Sequence, residues 1–391
     1  MDRGEANLAE FFFLITVIIM YGGINFYLYS RVQSALVGWF PGVTPVIFAL
    51  LFWLVASLFL IAQISRHVIG YSLPVIIIKI GYYWMAVLFY SILLVALVDL
   101  VRLANRFLPW MPSLLQEPKL VSLAVLILVV IIVGAGAWNS RHPVITHYEV
   151  TLDKPAVSGS SLHLVMVSDI HLGIVVDKAR LAELVTKINA LNPDLVVLPG
   201  DVIDEDLQVV VREHMEDELR KIKSRYGVYA CLGNHEYYSG HIDEVDNFMR
   251  QAGITLLRDQ MVLIADSYYL AGRSMKSENP LASDKSIRLP ELLADSDRTK
   301  PILVMDHVPG RLAEAAKSGV DLLLCGHTHL GQMWPLNFIT QRVFVADYGL
   351  YQDQAFQAVI SNGVGTWGPP IRVGNRPEIV DIEISFNQSG S

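Results

Sequence analysis

Cysteine is almost absent: Cys231 and Cys325 are the only two in 391 residues. Both end apolar runs and read as small buried hydrophobes, which argues against a disulfide framework. Charge is also scarce, with 17% Asp, Glu, Lys and Arg against 53% hydrophobic residues. What charge there is leans acidic, 38 Asp and Glu against 30 Lys and Arg. A general nucleic-acid surface needs a basic stripe, so no nucleic-acid partner is expected. No internal repeat or low-complexity tract is visible.

The missing charge is unevenly distributed. Residues 1–150 hold 8 Lys and Arg against 6 Asp and Glu, whereas the remainder holds 22 against 32. The break separates an apolar module, residues 1–140, from an acidic domain of ordinary composition, residues 145–391. Runs at 11–29, 45–64, 73–98 and 120–138 each approach the roughly 20 residues a helix needs to cross a bilayer. Four spans and a multi-pass membrane module are expected. The acidic leader before the first run, with no small-residue cleavage pattern after it, is unlike a signal peptide. Lys79 sits near the start of the third run, where a lysine snorkels to the headgroups. Residues 99–119 read either as an interfacial helix with Arg102 and Arg106 on one face or as a connecting loop.

Beyond residue 160 the pattern changes. Short apolar runs at 163–167, 195–198, 228–231, 302–305 and 321–324 alternate with amphipathic stretches at 178–190, 208–223 and 242–251. That alternation reads as an α/β layered domain. Residues 274–300 form a polar stretch expected to be a surface loop carrying a short helix. Residues 343–346 and 379–384 read as further strands.

Each of the five runs ends in polar side chains suited to metals. Ser168-Asp169-Ile170-His171 follows the first, Gly200-Asp201 the second, and Gly233-Asn234-His235-Glu236 the third. Asp306-His307 follows the fourth and Gly326-His327-Thr328-His329 the fifth. Ligands of open α/β sheets gather at this carboxyl edge. Two metals about 3.5–4 Å apart need a carboxylate to bridge them, and Asp201 is the natural bridge. Asp169 and His171 would complete one ion with one histidine of the last motif. Asn234, His307 and the other histidine would complete the second. The oxygen and nitrogen mixture suits two divalent ions, Mn²⁺ first, with Fe or Zn left open.

D-x-H, G-D-x-x-D, G-N-H-E, a lone His and G-H-x-H in this order are similar to the calcineurin-like metallophosphoesterase superfamily. The tail from Gly363 to Arg372, with Arg376-Pro377-Glu378-Ile379, resembles its bacterial branch of membrane-associated or exported enzymes. The resemblance implies a four-layer α/β/β/α sandwich. It implies one metal on Asp169, His171, Asp201 and His329, and another on Asp201, Asn234, His307 and His327. It makes His235 the group that contacts the phosphate and protonates the leaving oxygen, oriented by Asp204. The implied reaction is hydrolysis of a phosphomonoester, phosphodiester or pyrophosphate by attack of a metal-bridging hydroxide. Two stretches depart from the pattern. Asp306 stands where a small residue is commoner, and Arg273 lacks the acidic residue that often follows it.

Other residues match no motif. His163, His214 and His241 read as surface or core histidines, and Trp334 and Trp367 as core packing first, or else as lining of a pocket beside the metals. Arg372 and Arg376 can bind a substrate phosphate bidentately or simply pair on the surface. The competing reading is a binding or regulatory membrane protein that keeps the fold with little turnover. Four spans exceed what an anchor needs, which favours a lipid-linked phosphoester. Arg31, Arg102, Arg106 and Lys119 oppose Arg3, Arg66 and Arg141 in the positive-inside comparison, and the catalytic domain is expected outside the cytoplasm.

Overall fold

The computed structural model describes residues 3–36, 44–65, 73–110, 112, 116–156, 159, 161–204, 206–274 and 287–387. The chain divides into two compact units, Met1–Gly136 and Ala137–Ser391.

The first unit is helical: α1 (Arg3–Leu36), α2 (Pro45–Ile64), α3 (Val75–Phe107) and most of α4 (Pro118–Asn139). Among the described residues, α2, α3 and α4 are long and apolar enough to cross a membrane. The expected first span falls within α1; the side chains at 3–11, 13–14 and 34–36 lie outside the described residues. Thr44 caps α2, accepting a hydrogen bond from the backbone N of Ile47, and Pro45 opens it. Residues 99–107 are neither a loop nor a separate interfacial helix, because α3 continues unbroken to Phe107. Pro109 is the first residue that cannot extend it. At about 1.5 Å per residue such a helix spans about 50 Å, well past a hydrocarbon core of about 30 Å. Near that end, Asp99 accepts from the Tyr27 hydroxyl (2.5 Å) and the Arg31 guanidinium (2.6 Å).

The second unit stacks two six-stranded sheets. One runs β1-β12-β2-β3-β4-β5, the other β10-β11-β9-β8-β7-β6. In the first are β1 (Val144–Leu152), β2 (Ser161–Met166), β3 (Leu195–Pro199), β4 (Val228–Cys231), β5 (Thr255–Leu256) and β12 (Glu378–Phe386). In the second are β6 (Gln260–Ile264), β7 (Tyr268–Gly272), β8 (Ile302–Met305), β9 (Leu322–Cys325), β10 (Gly349–Asp353) and β11 (Phe356–Ile360). β3, β8 and β9 are buried along their whole length. That is why they read as unbroken apolar runs: both faces of a largely parallel sheet are covered.

Leu164, Leu195 and Val197 of one sheet share a core with Leu270, Leu303 and Leu324 of the other. Helix α5 (Lys178–Ala190), capped by Asp177, buries Leu181, Leu184, Val185 and Ile188. On the second sheet, α10 (Leu289–Leu292) and α11 (Leu312–Lys317) pack Leu289, Leu292 and Leu312 against Val304 and Leu323. The layers are α/β/β/α, as the motifs implied.

Two elements differ from the sequence reading. The stretch 208–223 is not one helix but α6 (Leu207–Arg212) and α7 (Glu216–Leu219), interrupted at His214, whose φ is +50°. Residues 343–346 are not a strand: Val343 ends α12 (Asn337–Val343), and Val345 is 80% exposed with no strand partner. The remaining helices are α8 (Asn234–Tyr238) and α9 (Ile242–Gln251). Within the polar stretch 274–300, residues 275–286 lie outside the described residues, and α10 is its short helix.

Candidate metal centre

Strands β2, β3, β4, β8 and β9 release their chains at the same edge, and the motif residues lie just past their ends. Asp169, His171, Asp201, His327 and His329 all have positive φ, between 47° and 75°. Left-handed backbone is uncommon for these residue types and concentrates at functional sites. Here it turns side chains two positions apart, Asp169 and His171 or His327 and His329, into one cleft. Close backbone approach serves the same end: a Cβ on Gly326 would lie 2.2 Å from Asp169 Oδ2, and one on Gly200 2.6 Å from the His307 ring.

The predicted ligands come together as two adjoining groups. Asp169, His171 and His329 offer donor atoms within 4.8 Å of one another, and so do Asp201, His307 and His327. His171 Nε2 faces His329 Nε2 at 3.0 Å, and His329 Nε2 lies 3.4 Å from Asp169 Oδ1. Asp201 Oδ2 is 3.0 Å from His307 Nε2 and 3.9 Å from His171 Nε2, between the two groups. Asn234 Oδ1 approaches His307 Nε2 (3.2 Å) and His327 Nδ1 (2.9 Å).

This donor set fits cations. Two imidazole nitrogens pointed at each other can share at most one proton, so a buried pair of this kind suits a positive ion between them. His171 Nδ1 is buried without a hydrogen-bond partner among the described residues. Burial lowers the pKa of His327 to about 4 and holds His329 well below its ordinary value, so both rings are neutral donors at neutral pH. Burial opposes ionisation of the Asp201–His307 pair, yet mutual attraction prevails, leaving Asp201 low and His307 raised. A divalent ion there would take the place of the His307 proton.

His235 stands beside both groups. Its Nδ1 lies 2.9 Å from Asp204 Oδ1, and its backbone N donates to Asp201 Oδ1 (2.9 Å). Burial works against the Asp204 charge, but His171 and His235 more than offset it and the carboxyl stays ionised. His235 also lines a cleft of about 480 Å³ with Asp201, Asn234, His327 and His329.

The motif reading assigned no task to Glu236, and the structure supplies one. Fully buried, it accepts from the backbone N of Asp201 (3.0 Å), Ile203 (2.9 Å) and Gly233 (2.7 Å). It thereby ties the β3 loop to the β4 loop. Glu three residues past the helix N-cap can reach back to the cap's backbone N, the Glu half of a capping box, and that spacing was there to be read.

Arg372 is not a substrate-binding group. It is 0% exposed, and its guanidinium donates to the carbonyls of Gly365, His329, Asn362 and Gly363. Its Nη2 also lies 2.9 Å from His329 Nδ1, so it holds that ring in place. Arg376 is exposed and lies outside the residues lining the cleft. Asp306 points to buried Arg273 (3.4 Å), which also holds Glu314 at 3.0 and 3.1 Å. His163 pairs with Asp381 at 2.5 Å, while His214 and His241 are exposed, as expected of histidines outside the motifs. Trp334 and Trp367 are each 51% exposed rather than core, and Trp367 lines the cleft.

Oxygen and nitrogen donors converging at one edge of a two-sheet sandwich define the class: a metal-binding α/β/β/α domain. Residues 162–331 match the family described as calcineurin-like phosphoesterase. An uncharacterized metallophosphoesterase of Aquifex aeolicus is 31% identical over 228 residues, covering 58% of this chain and 86% of its own. The chain belongs to the calcineurin-like phosphoesterase family. A "Transmembrane protein with metallophosphoesterase domain" from Danio rerio is 30% identical over 270 residues, or 66% of this chain, which spans 61% of that relative's length. A solved dimetal phosphatase from Danio rerio aligns with 59% of this chain and 100% of its own at 13% identity and a TM-score of 0.36. The family implies phosphoester hydrolysis with divalent metal ions, and the apolar helices make this a membrane protein.

Proposed function

We propose that residues 1–140 form a four-helix transmembrane module and residues 145–391 a two-metal phosphoesterase, acting on a monoester, diester or pyrophosphate, lipid-linked for preference. The observation that carries this reading is the adjacency of the two donor groups across Asp201, with His235 and Asp204 beside them. Asp169, His171, Asp201 and His329 would hold one ion, and Asp201, Asn234, His307 and His327 the other. Two divalent ions so placed supply an activated water and positive charge to the phosphoryl oxygens. Mn²⁺ is the first choice for this ligand mixture.

The protein's own groups do the rest. Asp204 accepts from His235 Nδ1, fixing the ring so that its other nitrogen can protonate the departing ester oxygen. Glu236 holds the backbone of Asp201 in place, and Arg372 holds the His329 ring. Asn234 is neutral, which leaves the site enough positive charge to bind a phosphate.

The test separates ligand from proton donor. Asp201→Asn and His171→Ala should lose both metal and hydrolysis of bis(4-nitrophenyl) phosphate. His235→Ala should keep its metals while turnover falls by about 10²–10⁴-fold. Element analysis beside the rates reads both, and metal loss in His235→Ala would overturn its assignment.

A further inference from the structure

The cleft has two unlike walls. One is the imidazole and carboxylate face just described. Leu336, Ile339, Thr340 and Trp367 contribute the other. Ile339 belongs to α12, a helix with no buried residue, and Phe338, Ile339 and Val343 on it are 48%, 58% and 66% exposed. Among the described residues beyond 140, twelve large apolar side chains are exposed, and seven of them fall within 334–350. Ile339 of these lines the cleft together with exposed Tyr238 and Trp367 from other segments, while Val343 and Val345 line a neighbouring cavity beside residues 309–314. An exposed apolar patch beside a polar cleft marks a binding surface rather than ordinary scatter.

The patch is continuous with the chemistry. The Phe344 ring meets the His327 ring edge-on at 6.1 Å, and the Trp334 ring meets Phe338 at 6.4 Å. The only charged residue of α12 is Arg342, a cation. A molecule whose phosphate lies at the imidazole face must therefore run its remaining bulk along an apolar wall. The amphiphiles most abundant around a chain with membrane-spanning helices are lipids.

We infer that Leu336, Ile339 and the exposed face of α12 seat the acyl chain of a lipid phosphoester. This rests on the phosphoesterase reading for the placement of the phosphate, but not for the seat itself. α12 is then the specificity element of the cleft, and its exposed side chains are covered when the lipid is bound.

Two measurements test it on the full-length protein. In the first, the protein sits in phosphatidylcholine nanodiscs containing a minor fraction of phosphatidylglycerol with a diazirine at the acyl terminus. Irradiation should label peptides within 334–345, and Ile339→Asp combined with Val343→Asp should reduce that label at least about fivefold; removing two exposed apolar groups leaves the core intact. In the second, 4-nitrophenyl methyl, butyl and octyl phosphodiesters are compared. KM should fall at least about tenfold from methyl to octyl, because each buried methylene favours binding. The double variant should flatten that dependence with its metal content unchanged.

Label within 334–345 with no hydrolysis of any ester would leave the acyl seat standing and overturn the phosphoesterase reading instead. Label confined to α2, α3 and α4, with a flat chain-length series, would overturn the seat. So would a lower KM for 4-nitrophenyl thymidine monophosphate than for the octyl ester, which would reassign Trp367 to stacking on a nucleobase.

Discussion

Arg372 shows how a residue's place changes its meaning. An arginine in a Gly- and Pro-rich tail reads as a phosphate clamp, yet here every face of the guanidinium meets a carbonyl or a ring nitrogen. Burial lowers its pKa to about 10, which still leaves it charged at neutral pH. Arg372→Met would strip several buried carbonyls of their donor and release the His329 ring. It should cost about 2–5 kcal/mol of stability and weaken metal retention. A thermal melt with element analysis checks this; a rise in KM at unchanged stability would restore the substrate-binding role. The ligand candidates themselves were legible because each ends an apolar run, where residue type and position carry the signal together. The positive φ of Asp169, His171, Asp201, His327 and His329 was not legible, since local preference disfavours it and only the surrounding packing imposes it.

At the scale of elements, the buried strands were the easiest to find. LVVLP, ILVM and LLLC are apolar on both faces, and no surface pattern competes with that reading. Residues 343–346 misled for the opposite reason: Val343 and Val345 are exposed, so hydrophobicity there does not report a sheet. The stretch 208–223 misled because helical periodicity survives the short break at 213–215, centred on His214. α11 carries a testable tie between elements, Glu314 to Arg273 at the end of β7. Burial pushes the Glu314 carboxyl up, but Arg273 outweighs it and the pKa is lowered from its ordinary 4.5. A carboxylate with a depressed folded pKa adds stability above its unfolded value and loses it as pH falls through the folded value. Glu314→Gln should therefore cost about 1–3 kcal/mol at pH 7. That deficit should shrink as pH falls from the ordinary 4.5 through the lowered folded value, where the wild-type carboxyl also protonates. Melting temperatures of both proteins across pH 3–8 decide it, and a deficit independent of pH would rule out the ion pair.

For the whole molecule, the open question of side has a physical handle. Four spans would put both ends of the helical module on one face of the bilayer. Arg31, Arg102, Arg106 and Lys119 then lie opposite Arg3, Arg66 and Arg141. By the positive-inside rule, the excess of one basic residue predicts an outward-facing catalytic domain. Paired reporter fusions after Ser391 should give activity only from the reporter that works outside the cytoplasm. Signal from the cytoplasmic reporter alone would reverse the assignment and shift the accessible lipid to the inner leaflet.

The position of β12 carries a consequence for how the protein is made. It lies between β1 and β2, pairing in parallel with one and antiparallel with the other. On the ribosome, the membrane helices and the eleven other strands of both sheets emerge before it, as does every proposed metal ligand. Until β12 arrives, β1 and β2 each expose a row of unpaired backbone groups, the condition that invites pairing with other chains. Arg372, which steadies His329, lies only a few residues ahead of it. Synthesis thus delivers the membrane helices early and leaves the metal-centre domain unfinished until β12, so stalling late in translation should leave a tethered, adhesive intermediate.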